Sequence, residues 1–230
     1  EMTSSLVGSE MCIRDRYDDI MNYEFMVYVC EGSESEKLDW FKVVNIAGEK
    51  LTDQELRNSV YTGKWLTDAK RYFSKRNCAA KGLSDKYIKA DPNRQELLEK
   101  ALMGICGFQG IDNITEYMSM HKSDDDADEL WQYFQDVINW VQKIFPKYYK
   151  DMKGLDWCSL YNKYHNNTYN SSAMKTEVEK LHQDDEVQKR KGIYEYLLCK
   201  DKDPFAGRLL NLRAFDTVSY THLRAHETRR

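Results

Sequence analysis

The stretch Asp124-Asp-Asp-Ala-Asp-Glu-Leu-Trp-Gln-Tyr-Phe-Gln-Asp-Val-Ile-Asn-Trp-Val-Gln-Lys-Ile-Phe145 decides the fold class of this chain. Leu130, Phe134, Val137, Val141 and Ile144 recur at alternating spacings of four and three, with Trp131, Ile138 and Phe145 beside them. That spacing puts a broad apolar stripe on one side of an α-helix and fits no strand period. Asp124, Asp125, Asp126, Asp128 and Glu129 crowd its start, where the positive end of the helix dipole favours carboxylates. At ~1.5 Å per residue the helix spans about 33 Å, the width of a domain. Pro146 lies close to its stop.

Downstream, shorter helices are expected over Trp157–Tyr164, Ala173–Leu181 and Glu186–Leu198, the last weakened by Gly192. Asp201-Lys-Asp-Pro204 and Gly207 have the composition of a linker. Upstream, Asp91-Pro92 reads as an N-cap followed by proline at the first helical position, opening a helix that buries Leu97, Leu98, Ala101, Leu102 and Ile105. Arg76–Ala90 is mixed and loop-like. Lys64–Ser74 is helical, after a stop at Thr62-Gly63. Two capping boxes, Thr52-x-x-Glu55 and Ser33-x-x-Glu36, open helices at Asp53–Tyr61 and through Leu38, Trp40, Phe41, Val44 and Ala47, with Gly48 placed to end the latter. Tyr23-Glu-Phe-Met-Val-Tyr-Val-Cys30 reads as the one strand, aromatic and β-branched and apolar on both parities. The fold class expected is mostly α, with one residual strand followed by a helical domain.

The two ends carry a different message. Back-translated as GTC TCT TAT ACA CAT CTC CGA GCC CAC GAG, Val218–Glu227 has a reverse complement that translates to Leu6–Asp15 over ten consecutive codons. The match extends to Thr3–Ser5 against Thr228–Arg230. Selection on a protein has no means of producing such a relation. The string resembles a sequencing-library adapter read on both strands, so residues 1–16 and 217–230 are expected to be non-native and are set aside from fold reasoning. Tyr17–Asp216 is then expected to be an internal piece of a longer protein. The whole chain carries a net charge of −4. The tails hold 5 of the 34 basic and 4 of the 38 acidic residues, which leaves 29 against 34, or −5. A mildly acidic chain gives no whole-domain argument for nucleic-acid binding and leaves room for a local basic face.

Apart from the adapter's Cys12, the cysteines are Cys30, Cys78, Cys106, Cys158 and Cys199. An odd number at long, irregular gaps reads as reduced intracellular thiols and lacks the close ligand pairs of structural zinc. No apolar run approaches the ~20 residues of a membrane span. No membrane partner and a cytoplasmic location are therefore expected.

The densest polar segment joins two of the predicted helices: Asn45-Ile-Ala-Gly-Glu-Lys-Leu-Thr-Asp-Gln-Glu-Leu-Arg-Asn58. Backbone N–H groups at the start of its second helix make a natural anion site, and Arg57 offers a bidentate phosphate contact. Structure alone also accounts for these residues: Thr52 and Glu55 by capping, Gly48 by a turn, Leu51 and Leu56 by packing. Extended to Trp40, the segment resembles the F-x-R-L-N-x-G-G-x-x-L-x-x-Q-E-L-R-N pattern of the GmrSD N-terminal family, the ParB-like domain of unknown function 262. The helical half, Asn93–Leu198, is similar to one bacterial branch of that family in which Gly192-Ile-Tyr-Glu-Tyr-Leu and Leu212-Arg-Ala-Phe lead into an HNH nuclease module.

The resemblance implies the end of a ParB-like α+β sheet (17–61), a helical domain (62–200) and a linker (201–216) toward an HNH module. It implies a parent that is a nucleotide-dependent, modification-dependent DNA restriction endonuclease of phage defence, using a nucleoside triphosphate with magnesium. Asn45, Gly48, Gln54, Glu55, Arg57 and Asn58 then border the nucleotide. Two positions depart from the pattern: Lys42 replaces the family's arginine, losing its planar fork, and Glu49 replaces the second glycine. The family's D-G-Q-Q-R motif and the HNH histidines are absent from this sequence, so the chain itself is expected to be inactive, with no cofactor of its own and no catalytic residue. The alternative is a helical DNA-binding or protein-interaction module without enzymatic activity.

Lys147, Lys150, Lys153 and Lys163 interleave with Tyr148, Tyr149, Tyr161, Tyr164 and Tyr169. Such mixing either stacks nucleic-acid bases on a basic face or covers a helical core with amphipathic side chains. His121, His165 and His182 are scattered, and Asp124–Asp128 lacks the glycine and terminal glutamate of a calcium loop. Both are read as structural, with no metal site.

Overall fold

A computed structural model describes residues 17, 19, 21–24, 27, 29, 31–44 and 51–213. Both adapter-like tails, and Asn45–Lys50, lie outside them. The chain divides into two units, Glu1–Lys37 and Leu38–Arg230. Helix makes up 62% of the described residues, a mostly-α fold.

In the first unit the Ser33 capping box is formed. Ser33 N donates to Glu36 Oε2 at 2.8 Å and Glu36 N donates to Ser33 Oγ at 3.3 Å, opening α1 (Glu34–Val44). The expected strand is not formed where it can be seen. Tyr23, Glu24, Val27 and Val29 lie outside any strand and are exposed, Val29 to 84%. Phe25, Met26, Tyr28 and Cys30 are not among the described residues. A β-like sequence becomes a strand only against a neighbour that takes its backbone hydrogen bonds, and among the described residues the only β pairing is a single bridge between Val187 and Leu212.

The second unit is a helical bundle: α2 (Asp53–Val60), α3 (Lys64–Phe73), α4 (Ala79–Ser84), α5 (Glu96–Gln109), α6 (Ile114–His121), α7 (Asp128–Ile144), α8 (Trp157–Tyr164), α9 (Ser171–Gln183) and α10 (Gly192–Cys199). Helix α7 runs through its centre and packs on α3, α4, α5, α8 and α9. Its stripe Leu130, Phe134, Val137, Ile138 and Val141 is fully buried, as the four-three spacing implies. The helix is shorter than its pattern. Its 17 residues start at Asp128 because Ala127 N is taken by Asp68 Oδ2 (3.1 Å) and Asp126 Oδ1 caps Asp128 N (3.2 Å). Asp124–Asp126 thus precede the helix.

Three further departures have local causes. Asp91-Pro92 opens a turn, closed by Glu96 N donating to Asp91 O (3.1 Å), and α5 begins only after Gln95. The loop-like stretch 76–90 contains α4, whose Ala80 and Ser84 are buried. Residues 206–210 form a 3-10 helix, where composition reads as linker. Ala206 and Leu210 are buried there, and the segment packs on α10.

Close helix contact also depends on Gly104 of α5. A Cβ there would lie 2.7 Å from Cys158 Cβ and 2.7 Å from the Tyr133 hydroxyl. The absent side chain lets α8 approach, and Asn162 fills the polar gap by donating to Gly104 O (2.8 Å) while accepting from Tyr133 (2.9 Å).

Candidate functional site

Of the six residues assigned to a nucleotide site by resemblance, Asn45 and Gly48 lie outside the described residues. The other four sit on α2, where spacings of three and four place Gln54, Arg57 and Asn58 on one face. That face meets α5. Gln54 is fully buried; its Nε2 donates to Asn58 Oδ1 (2.9 Å) and approaches Met118 Sδ (3.4 Å), while its Oε1 accepts from Arg57 Nε (2.9 Å). Arg57 then donates through Nη2 to Glu99 Oε1 at 2.6 Å, its side chain only 14% exposed. Asn58 Nδ2 donates to Gln95 Oε1 (3.2 Å), which also accepts from Ser74 Oγ (2.6 Å).

Gln95 has φ 61° and ψ 8°, the left-handed region that costs a non-glycine residue about 1–2 kcal/mol. Its two hydrogen bonds, tying the end of α2 and the end of α3 to the start of α5, offset that cost. Glu55 points the other way. Its carboxylate takes Thr52 N (2.7 Å) while Thr52 Oγ1 takes Glu55 N (3.2 Å), the full capping box, and Arg94 Nη1 lies 3.4 Å from the other carboxylate oxygen. The start of α2 is therefore already occupied by a carboxylate.

The chemistry available at this network follows from charge and access. A pocket of about 480 Å³ opens beside it, lined by Arg57 and by the carboxylates Asp53, Glu99 and Asp112. One guanidinium, already paired, among three acids gives a pocket with little pull on phosphate. The Q-E-L-R-N block is thus a polar latch between helices, with each of its four polar side chains partnered inside the protein. Its α5 partners Gln95 and Glu99 left no signature in the sequence beyond their polarity.

The lysine and tyrosine group is dispersed. Lys147 Nζ bonds Glu179 (2.9 Å) and lies 5.2 Å over the Tyr149 ring, and Lys153 Nζ is 3.6 Å from Asp85. Lys150 and Lys163 are exposed on separate elements. Apart from the exposed Tyr148, the tyrosines pack against the protein. Tyr149 stacks on His182 (4.3 Å), Tyr161 lies edge-on to Trp140 (5.6 Å) and Tyr169 donates to Leu198 O (3.1 Å).

His121 and His165 are likewise held locally, by Asp124 Oδ2 (2.7 Å) and Tyr161 O (2.9 Å). Among the described residues no group of three histidines, cysteines or acids is arranged to hold a metal. Cys78, Cys106, Cys158 and Cys199 are buried and free. Burial raises the Cys106 thiol to about 11 and that of Cys158 to about 12, so neither is a thiolate nucleophile at neutral pH.

His182 carries a pH consequence. Burial between Tyr149 and Tyr194, 3.3 Å from the Tyr194 hydroxyl, lowers its pKa below the ordinary 6.5; Arg190 and Lys147 add to this and Asp151 opposes it. A base whose folded pKa is depressed adds stability that is present above its unfolded value and lost as pH falls below it. The His182→Phe variant keeps the stacking and removes the titration. Urea unfolding across a pH series is expected to show wild type losing more stability than the variant below about pH 6.5. Parallel pH profiles for the two proteins would contradict this.

The fold and the network define a helical domain braced by a buried polar latch. Comparison with protein-family models, curated proteins and solved structures finds nothing that matches this chain. Among the described residues, no helix is long and apolar enough to cross a membrane.

Proposed function

We propose that residues 17–216 belong to a nucleotide-dependent DNA restriction endonuclease of the GmrSD type, and that the part seen here couples its nucleotide-binding and helical domains. The observation that supports coupling is the Arg57 bridge from Gln54 of α2 to Glu99 of α5. Segment 45–50, which the resemblance places at the nucleotide, leads directly into α2. A helix joined by charge-assisted bonds to its neighbour passes a displacement on; a loosely packed one absorbs it. In this reading Asn45 and Gly48 shape the nucleotide pocket, and Gln54, Arg57 and Asn58 transmit its state. The triphosphate and its magnesium act in the parent, in the cytoplasm, with DNA as the target.

The same bridge also favours a second reading, a helical interaction module with no nucleotide chemistry, because it commits Arg57 Nε and Nη2 to partners inside the protein. Recovery of the uninterrupted gene separates the two. The first reading expects a D-G-Q-Q-R motif before Tyr17, an H-N-H motif after Asp216, and triphosphate hydrolysis by the gene product but not by the present chain. An uninterrupted gene without either motif rejects it.

A further inference from the structure

We infer that the outer face of α3 is a docking groove for the phosphodiester backbone of DNA. The choice of DNA as the polymer rests on the restriction-enzyme reading above; the electrostatic argument stands on the groove itself. An open depression of about 970 Å³ runs along this helix, lined by Lys64, Lys70, Arg71 and Lys75 with Asp68 as its one acid. On a chain of net charge −4, that is a local reversal of sign.

The charges are also available. Asp68 is held by Arg71 Nη2 (3.0 Å) and by Ala127 N (3.1 Å), so that pair is close to neutral and the surplus charge rests on Lys70, Lys75 and the adjacent Arg76. Lys64 is paired with Asp125 at 2.7 Å, but both side chains are about four-fifths exposed, a pair that water and competing anions exchange readily. Among the described residues no carboxylate pairs with Lys70, Lys75 or the adjacent exposed Arg76. Arg71 is positioned in advance, 4.8 Å over the Tyr72 ring, which stacks on Trp131 at 4.8 Å. At the other end of α3, the Gly63 N-cap supplies no side-chain hydrogen bond and the first turn holds no acid, so the helix dipole adds to the same sign.

Geometry selects a polymer over a small anion. The helix alone, Lys64–Phe73, is about 14 Å long at ~1.5 Å per residue, and Lys75 lies beyond its end, so the cations span more than one phosphate can bridge. A DNA strand carries a charge every ~3.4 Å of its axis, and several fall within that length. A membrane surface fits poorly, since interfacial helices bury an apolar face in lipid. The apolar residues of α3, Trp65, Leu66, Ala69 and Phe73, are all turned into the core, and 62–75 presents no large exposed apolar side chain.

The test is a titration of the full chain against a labelled mixed-sequence duplex, followed by fluorescence anisotropy at increasing salt. Binding at low salt is expected, with log K falling against log salt at a slope of about −3, the release expected for three neutralised phosphates. The variant K70Q/K75Q/R76Q removes cations that hold no salt bridge, so its melting temperature should equal that of wild type. It is expected to bind at least tenfold more weakly with a shallower slope, while K147Q/K150Q/K163Q matches wild type. No duplex binding at low salt, equal weakening by both triple variants, or capture by anionic vesicles without capture by DNA would each overturn the proposal. A recovered gene lacking both catalytic motifs would reject the enzyme reading, whereas a positive titration would still support the groove.

Discussion

Phe134→Ala is expected to lower the unfolding free energy by about 3–5 kcal/mol, the cost of deleting a buried aromatic ring together with the cavity it leaves. Phe134 is fully buried at the middle of α7, edge-on to Phe73 at 5.2 Å and beside Trp131 at 6.3 Å. The ring joins α7 to α3, so its loss loosens both. Domains of this size have only about 5–15 kcal/mol in hand, and the variant should unfold at a much lower denaturant midpoint. Met120→Ala is the matched control. Its side chain is 61% exposed, and its cost should stay within about 0.5 kcal/mol. A Phe134→Ala midpoint indistinguishable from that of the control would mean that α7 does not centre the core.

Gly192→Ala is expected to detach residues 205–213 from α10. A Cβ at Gly192 would lie 1.8 Å from the Leu209 carbonyl oxygen and 2.7 Å from its carbon. The obstacle is backbone, so no rotamer change relieves it. The strand-like return after Leu209 is held by Lys189 N donating to Leu210 O (3.0 Å), Arg213 N donating to Glu186 O (2.9 Å) and the Val187–Leu212 bridge. Adding one methyl group breaks this register and exposes Leu210 and Ala206. Overpacking of this kind costs about 1–3 kcal/mol. The diagnostic readout is local: amide exchange at Lys189 should accelerate strongly, while exchange in α7 follows the global change in stability. Unchanged protection at Lys189 would show that the segment tolerates a side chain there.

Gly192 also shows how far the sequence can be read. By propensity it is a weak point inside a helix spanning 186–198. In the structure α10 starts at Gly192, and the glycine is required because another backbone crosses it. Periodicity carries no information about a neighbour such as Leu209, seventeen residues away. The Asp91-Pro92 pair failed for a related reason. Its chemistry suits a helix start, but Gln95 adopts a left-handed conformation that delays the helix by one turn. The hydrogen bonds that sustain this conformation come from Asn58 and Ser74, on two other elements.

The candidate site divides in the same way. The block Gln54–Asn58 is conspicuous in the sequence because four polar residues among five positions share a helix with a capping box. Which of them face solvent is not encoded in their spacing. Gln54 and Asn58 look like ligand-binding amides and turn out to be buried, because Met118 meets Gln54 and Gln95 meets Asn58. The basic groove along α3 is absent from the sequence-based expectations, although Lys70-Arg71 and Lys75-Arg76 leave a local signal there. A whole-chain charge of −4 conceals it.

What the sequence by itself determined is local and periodic: the mostly-α class, the burial of the α7 stripe, the Ser33 and Thr52 capping boxes, the bounds of α8, and the mirrored codons at the two ends. Each depends on residues within a few positions of one another, where helix geometry and base pairing act. Only the tertiary structure decided that Arg57 bridges to Glu99, that Gly104 and Gly192 are contact points, that residues 206–210 pack as part of the domain, and that the cations of α3 line one groove. Those outcomes depend on which elements meet, and burial, pairing and close approach are properties of the meeting surfaces.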